Sequence, residues 1–243
     1  MIRRTIKGLK VLREPGFRHA LRHGVAASIE HDGIPLPREI AHVVDVGANR
    51  GQFLTWASVR FPHARFDCFE PLDDPRSRLQ TVLPRGRSVA IHPVALGETS
   101  EELDFHVALA DDSSSLLQPS ATQTTTFPEA KMVRTIEIPV RRLDDELQAG
   151  RIARPSLLKI DVQGGELGVL KGGRAVLGAI DYVIVECSFV ELYVGQPLFH
   201  EIIEFLAERD FYLNGYFSPS VAADGRLLQA DGLFSRNTGG ITN

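Results

Sequence analysis

Along the chain, short apolar runs rich in β-branched residues alternate with longer stretches whose apolar side chains recur every three or four positions. The first kind reads as buried strand and the second as amphipathic helix. The run at 42–46 (HVVDV) stops at a glycine turn, after which a helix is predicted over 52–60. A strand at 65–69, a helix over 74–83 and a strand at 88–94 follow. The runs at 157–160 (LLKI) and 182–185 (YVIV) are continuously apolar, as in strands covered on both faces. A single helix over 166–177 is predicted to join them, with another over 199–208. Segments 211–216 and 227–234 read as a closing antiparallel hairpin around Ala223-Asp224-Gly225. This order predicts an α/β fold, a doubly wound and mostly parallel sheet with helices on both faces. An insertion at 98–142 holds two alternating segments, 103–108 and 135–140, around the polar stretch 111–131. It is expected to be a β-hairpin carrying a long loop, the kind of loop that usually has a function or no order.

Residues 1–40 read as an N-terminal helical cap, and 41–243 as the main domain. Arg3, Arg4, Lys7, Lys10, Arg13, Arg18 and Arg22 interleave with Ile2, Ile6, Leu9, Leu12, Phe17 and Leu21 at helical spacing. The helical stretch is expected to end near Gly33, with Pro35 and Pro37 marking the join. Such helices cap a domain or form a homodimer interface; the sharper alternative is peripheral contact with an anionic membrane. No uninterrupted apolar segment follows the charges, so a signal peptide is not expected. No run reaches the ~20 apolar residues of a transmembrane helix. The 243 residues are 43% hydrophobic and 24% charged, a globular balance. Their net charge of −4 argues against nucleic acid as the main partner. The two cysteines, Cys68 and Cys187, each lie inside an apolar run, which fits a reducing, cytoplasmic setting better than a disulfide scaffold.

The most informative segment is the strand end and turn at 43–53 (VVDVGANRGQF). A buried strand opening through glycines into a helix presents backbone N–H groups at the carboxyl edge of a sheet. Gly47 and Gly51 are expected to leave room for a ligand against the backbone. The dinucleotide fingerprint is absent, since its second and third glycines are missing. Asp45, inside the strand end, would repel a pyrophosphate but accept hydrogen bonds from an ammonium group. That favours a cofactor carrying an amino acid, such as S-adenosylmethionine (SAM), over NAD. Glu70 ends the second predicted strand, at the place where such folds put the acid that holds both ribose hydroxyls.

The succession D-V-G-A-N-R-G-Q at 45–52, F-E-P at 69–71, V-A-L-G at 94–97, L-K-I-D-V-Q-G-G-E at 158–166 and V-E at 185–186 resembles the FkbM-type SAM-dependent methyltransferases. The closing L-Q-A-D-G-L-F at 228–234 resembles the subgroup that methylates sugar hydroxyls of actinobacterial glycolipids and polysaccharides. The resemblance covers about 42–236 and departs at Gln163, where many relatives carry Glu. It implies a Rossmann-like class I methyltransferase fold with seven strands ordered 3-2-1-4-5-7-6, the last-inserted strand antiparallel. It also implies SAM lying across strands one to four. Asp45, Gly47, Ala48, Asn49, Gly51, Gln52 and Asp161 would serve its amino-acid side, Glu70 and Pro71 its ribose, and Ala95 and Leu96 its adenine.

Methyl transfer to oxygen needs the acceptor held in line with the methyl carbon and its proton removed. Asp161 and Glu186, at the ends of the fourth and fifth parallel strands, are candidates for that base, or for jointly holding Mg²⁺. Lys159 points to the same side of its strand as Asp161 and is expected to pair with a carboxylate, with Glu166 or Glu186 as the salt-bridge partner, or to orient an acceptor oxygen. Glu166 suits the start of its helix. Ser113, Ser114 and Ser115 in the insertion, and Tyr193 past the fifth strand, are candidate sugar contacts. His92, His106 and His200 are weaker candidates for a base. The reading is O-methylation of a sugar or glycoside acceptor. The alternatives are a polyketide or other small-molecule hydroxyl, a non-catalytic SAM-binding protein, and an RNA methyltransferase, the last disfavoured by charge.

Overall fold

A computed structural model describes residues 13–236. Its strands are β1 (His42–Val46), β2 (Arg65–Phe69), β3 (Val89–His92), β4 (Ala95–Leu96), β5 (Glu101–Ala108), β6 (Met132–Arg141), β7 (Ser156–Ile160), β8 (Tyr182–Ser188), β9 (Phe211–Val221) and β10 (Leu227–Arg236). The helices are α1 (Pro15–Arg22), α2 (Gln52–Arg60), α3 (Asp73–Thr81), α4 (Ala121–Thr126), α5 (Leu143–Glu146), α6 (Glu166–Gly172), α7 (Arg174–Leu177) and α8 (Phe199–Ala207).

Seven strands form one sheet in the order β3-β2-β1-β7-β8-β10-β9. β10 runs antiparallel to both neighbours, and the remaining pairs are parallel. Counting only the strands of this sheet, that is the order 3-2-1-4-5-7-6. Every residue of β1 and β7 is buried, because helices cover both faces of the sheet centre. On one face Val44, Val46, Leu158 and Ile160 pack with Val169, Leu170, Ile202 and Leu206 of α6 and α8. On the other, Val43 and Leu157 pack with Phe53 and Trp56 of α2 and with Phe17, Ile34 and Leu36.

The described part of the N-terminal segment therefore shares the core of the main sheet. It contains α1 and a 3₁₀ turn, Ile29–Gly33, rather than one helix reaching Gly33. The Trp56 indole N–H donates to Asp32 at 2.9 Å and pins that turn to α2. The basic stretch up to Leu12 lies outside the described residues, as do most of the features behind the expected membrane contact and dimer. Among the described residues no helix is long and apolar enough to cross a membrane.

Two expected elements differ. The third strand stops at His92 because Pro93 has no N–H to continue the ladder; the chain then leaves the main sheet, and β4 pairs with β6 in a second sheet, β4-β6-β5. The helix expected over 166–177 divides into α6 and α7. A Cβ at Gly172 would come within 2.0 Å of the Gly97 carbonyl oxygen, so the helix can pass this point only as glycine, and it breaks there. The polar insertion is ordered locally, with α4 capped by the Ser120 hydroxyl accepting from Gln123 N at 3.1 Å.

Candidate active site

At the carboxyl ends of β1, β2, β7 and β8 lies a cavity of about 450 Å³, within the usual range of small-molecule sites. One end is walled by the turn Gly47–Ala48–Asn49, by Phe69, Glu70, Pro71 and Leu72, and by Val94, Ala95 and Leu96. Glu70 is 5% exposed, and each carboxylate oxygen accepts one backbone N–H: Oε2 from Asn49 at 2.9 Å and Oε1 from Leu72 at 2.8 Å. Each oxygen keeps a further lone pair. Burial pushes this carboxyl up to about 7, against the pull of the two N–H groups.

The turn itself corrects an expectation. A Cβ on Gly47 would lie 1.8 Å from the Asp161 carbonyl oxygen, and one on Gly51 2.9 Å from Val82. Both glycines answer to close protein packing rather than to space for a ligand, and Gly51 does not line the cavity. Asp45 is also absent from the lining. Its side chain is fully buried and sits beside Lys159, its register partner across the β1–β7 pair. The Lys159 ammonium lies 3.8 Å from Asp45 Oδ1 and 3.2 Å from Asp161 Oδ2, so its partners are these two aspartates and not Glu166 or Glu186. Burial raises Asp45 to about 6 despite Lys159. Burial also works against the ammonium, but Asp161 and Asp45 outweigh it and keep Lys159 charged. Asp161 does reach the cavity; burial opposes its charge, but Lys159 and Gln163 hold it below its ordinary value.

Gln163 is the residue the motif reading undervalued. It adopts φ 60°, uncommon for a residue with a side chain. From there its Nε2 donates to Asp161 Oδ1 at 2.8 Å and to Glu186 Oε2 at 3.0 Å. Its Oε1 lies 2.9 Å from the Tyr193 hydroxyl. The other Glu186 oxygen accepts from Gln229 Nε2 at 2.6 Å. Burial and the Asp161 charge push Glu186 well above the ordinary carboxylate range. An amide N–H donor thus occupies the gap between the two carboxylates proposed to share Mg²⁺, and an ammonium holds the other oxygen of Asp161. This arrangement does not fit a bridging cation, and no group of three or more His, Cys, Asp or Glu among the described residues is disposed to hold one.

Other candidates are placed elsewhere. Tyr193 is 2% exposed, so its ring is not free to stack on a sugar; its hydroxyl lies 3.0 Å from the Ser113 carbonyl oxygen and accepts from Gln123 at 3.2 Å. Ser115 is buried and donates to the Gln163 carbonyl at 2.6 Å, while Ser114 accepts from Ala108 N. Of Ser113, Ser114 and Ser115 only Ser114 lines the cavity. His92, His106 and His200 do not line it. Glu166 accepts from Val162 N and Gly164 N and shapes the turn after β7. The far end of the cavity is made by Ser28, Glu30 and His31 from the N-terminal turn and Ser218 from β9, which no motif singled out, and by Gln229 and Asp231 from β10, which lie in the 228–234 motif but were given no role there. The signal for those two was that motif, together with its polar residues in an otherwise apolar strand.

Residues 45–213 match the Methyltransferase FkbM domain. The chain belongs to the FkbM methyltransferase family. Like the family, it is a SAM-dependent methyltransferase. It is 29% identical over 192 residues to the 2-O-methyltransferase NoeI of Sinorhizobium fredii, covering 75% of this chain and 76% of that protein. It is 30% identical over 142 residues to the hexuronic acid methyltransferase AglP of Haloferax volcanii, covering 58% and 54%. Among solved structures, a putative S-adenosylmethionine-dependent methyltransferase from Listeria monocytogenes aligns over 85% of this chain and 97% of that one, with TM-score 0.49 and 9% identity.

Proposed function

We propose that this FkbM methyltransferase moves the methyl group of SAM onto a hydroxyl of a sugar in a glycan, oligosaccharide or glycolipid. The observation that carries this reading is the two-sided cavity: a mostly apolar slot with one buried acid at one end, and a wall of hydrogen-bonding side chains at the other. A polyhydroxylated acceptor needs such a wall, because each hydroxyl taken from water must find a partner. The hexuronic acid named for AglP is an acceptor of this class.

The residues present fit SAM. Glu70 offers two lone pairs for vicinal ribose hydroxyls, and Phe69, Leu72, Val94 and Leu96 offer flat apolar contact for a base. Asn49 and Asp161 remain for the amino-acid end, with Asp45 acting through Lys159. When bound, SAM supplies a methyl carbon made electrophilic by its sulfonium. The chain's own task is then positional. Asp161 and Glu186, locked by Gln163, Lys159 and Gln229, set the direction of acceptor hydroxyls near the centre of the cavity. The buried thiols Cys68 and Cys187 support a cytoplasmic setting, and a homodimer through the N-terminal segment stays part of the proposal. A screen with methyl-labelled SAM against saccharides, glycosides and polyketide alcohols tests the reading. Label is expected on saccharides; label confined to polyketide alcohols overturns it.

A further inference from the structure

The polar wall of the cavity carries one histidine, His31, delivered by the N-terminal 3₁₀ turn from outside the span matched to the family domain. Its side chain is 8% exposed, and the ring is fixed by Phe53 and Trp56, with centroids 5.0 and 5.3 Å away. Nδ1 lies 3.0 Å from the Ser28 carbonyl oxygen. A carbonyl only accepts, so Nδ1 carries the hydrogen and neutral Nε2 keeps its lone pair. Nε2 lies 3.7 Å from Asp231 Oδ2, beyond hydrogen-bond distance, and no hydrogen bond from a described residue reaches it. Of the other acids lining the cavity, Asp161 accepts from Lys159 and Gln163, Glu186 from Gln163 and Gln229, Glu70 from two backbone N–H groups and Asp111 from Arg50. Glu30 and Asp112 form no ion pair with His31. An imidazole nitrogen and a carboxylate side by side, too far apart to hydrogen-bond to each other, suit two neighbouring hydroxyls of one ring.

We propose that His31 Nε2 is the general base of the transfer and that Asp231 holds both the resulting imidazolium and an adjacent acceptor hydroxyl. This rests on the sugar O-methylation reading above. As the acceptor oxygen forms its bond to the methyl carbon, the carbon–sulfur bond breaks with its electron pair staying on sulfur. The hydroxyl proton passes to Nε2. His31 returns that proton to water after the product leaves.

The test begins without any acceptor. Long-range ¹H–¹⁵N correlation spectra of histidine-labelled protein saturated with S-adenosylhomocysteine, with His31 assigned by its loss in His31→Gln, are expected to show the Nδ1–H tautomer. An Nε2–H tautomer overturns the proposal. With the best acceptor from the labelled screen, His31→Gln is expected to lower kcat about 10²- to 10⁴-fold with S-adenosylhomocysteine affinity unchanged by calorimetry. A kcat near wild type overturns it. Because the ring packs on Trp56, Asp231→Asn provides a second variant, expected to lose about tenfold or more in kcat; wild-type turnover in this variant counts against the pair. A wild-type enzyme that methylates only non-saccharide hydroxyls defeats the sugar reading alone, and His31 is then judged on that acceptor. Saccharide turnover that survives both substitutions defeats His31 alone.

Discussion

Glu70 and Gln163 show how much a single side chain's donor and acceptor inventory decides here. Both oxygens of Glu70 already accept a backbone N–H, from Asn49 and Leu72. In Glu70→Gln one of those oxygens becomes an NH₂ group, which faces an N–H and can no longer accept from a diol. Affinity for S-adenosylhomocysteine is expected to fall about 10- to 100-fold, the worth of a charged hydrogen bond; calorimetry showing unchanged affinity would remove Glu70 from the ribose site. At Gln163 the consequence concerns metal. The carboxamide supplies to Asp161 and Glu186 the hydrogen bonds that a cation would otherwise replace. Turnover is therefore expected to persist in excess EDTA, and loss of activity restored by Mg²⁺ would show that Gln163 gives way.

Among elements, the insertion and the glycine turn are tied by one ion pair. Arg50 follows Asn49 in the turn, and its Nε and Nη2 lie 2.8 and 2.6 Å from Asp111 Oδ2, at the start of the loop that brings Ser114 and Leu116 to the cavity. Both partners keep some contact with water, so the pair contributes no more than about 1 kcal/mol to global stability. Its effect is local, holding the loop against the cofactor end. In Asp111→Asn, hydrogen exchange at 109–116 should quicken and S-adenosylhomocysteine should dissociate several-fold faster, with thermal stability nearly unchanged. Equal exchange in the two proteins would mean that the second sheet alone holds the loop.

For the molecule as a whole, burying carboxyls at and beside the cavity is an electrostatic cost of folding. Burial raises Asp45 to about 6 and Glu70 and Glu166 to about 7. Folded carboxyls with raised pKa bind more protons than the unfolded chain between about pH 4 and 7, so stability falls as pH rises through that window. His92, raised by its hydrogen bond to Asp67, has the same sign: its contribution is present below its unfolded value and lost as pH passes its folded one. Asp67, Asp161 and Asp181 are lowered, so their contributions are lost only under more acidic conditions. The ligand-free protein is thus expected to melt several degrees lower at about pH 8 than at about pH 5.5. A flat or rising Tm across that range would contradict this.

The chain's own patterning was enough for a doubly wound, mostly parallel sheet, the glycine turn after β1 and the acid at the end of β2, while the strand order came from the resemblance of its motifs to the family. Strand and helix periods are local properties, and the right-handed crossover then forces strand ends to one edge. Periodicity could not say which neighbour each polar side chain would meet. Asp45 turns to Lys159 because the β1–β7 register sets them side by side, Tyr193 turns inward because Gln123, Gln163 and the Ser113 carbonyl satisfy its hydroxyl, and His31 meets Asp231 because the 3₁₀ turn packs against the closing β9–β10 hairpin. Those pairings join residues distant in sequence, and only close packing in three dimensions selects them.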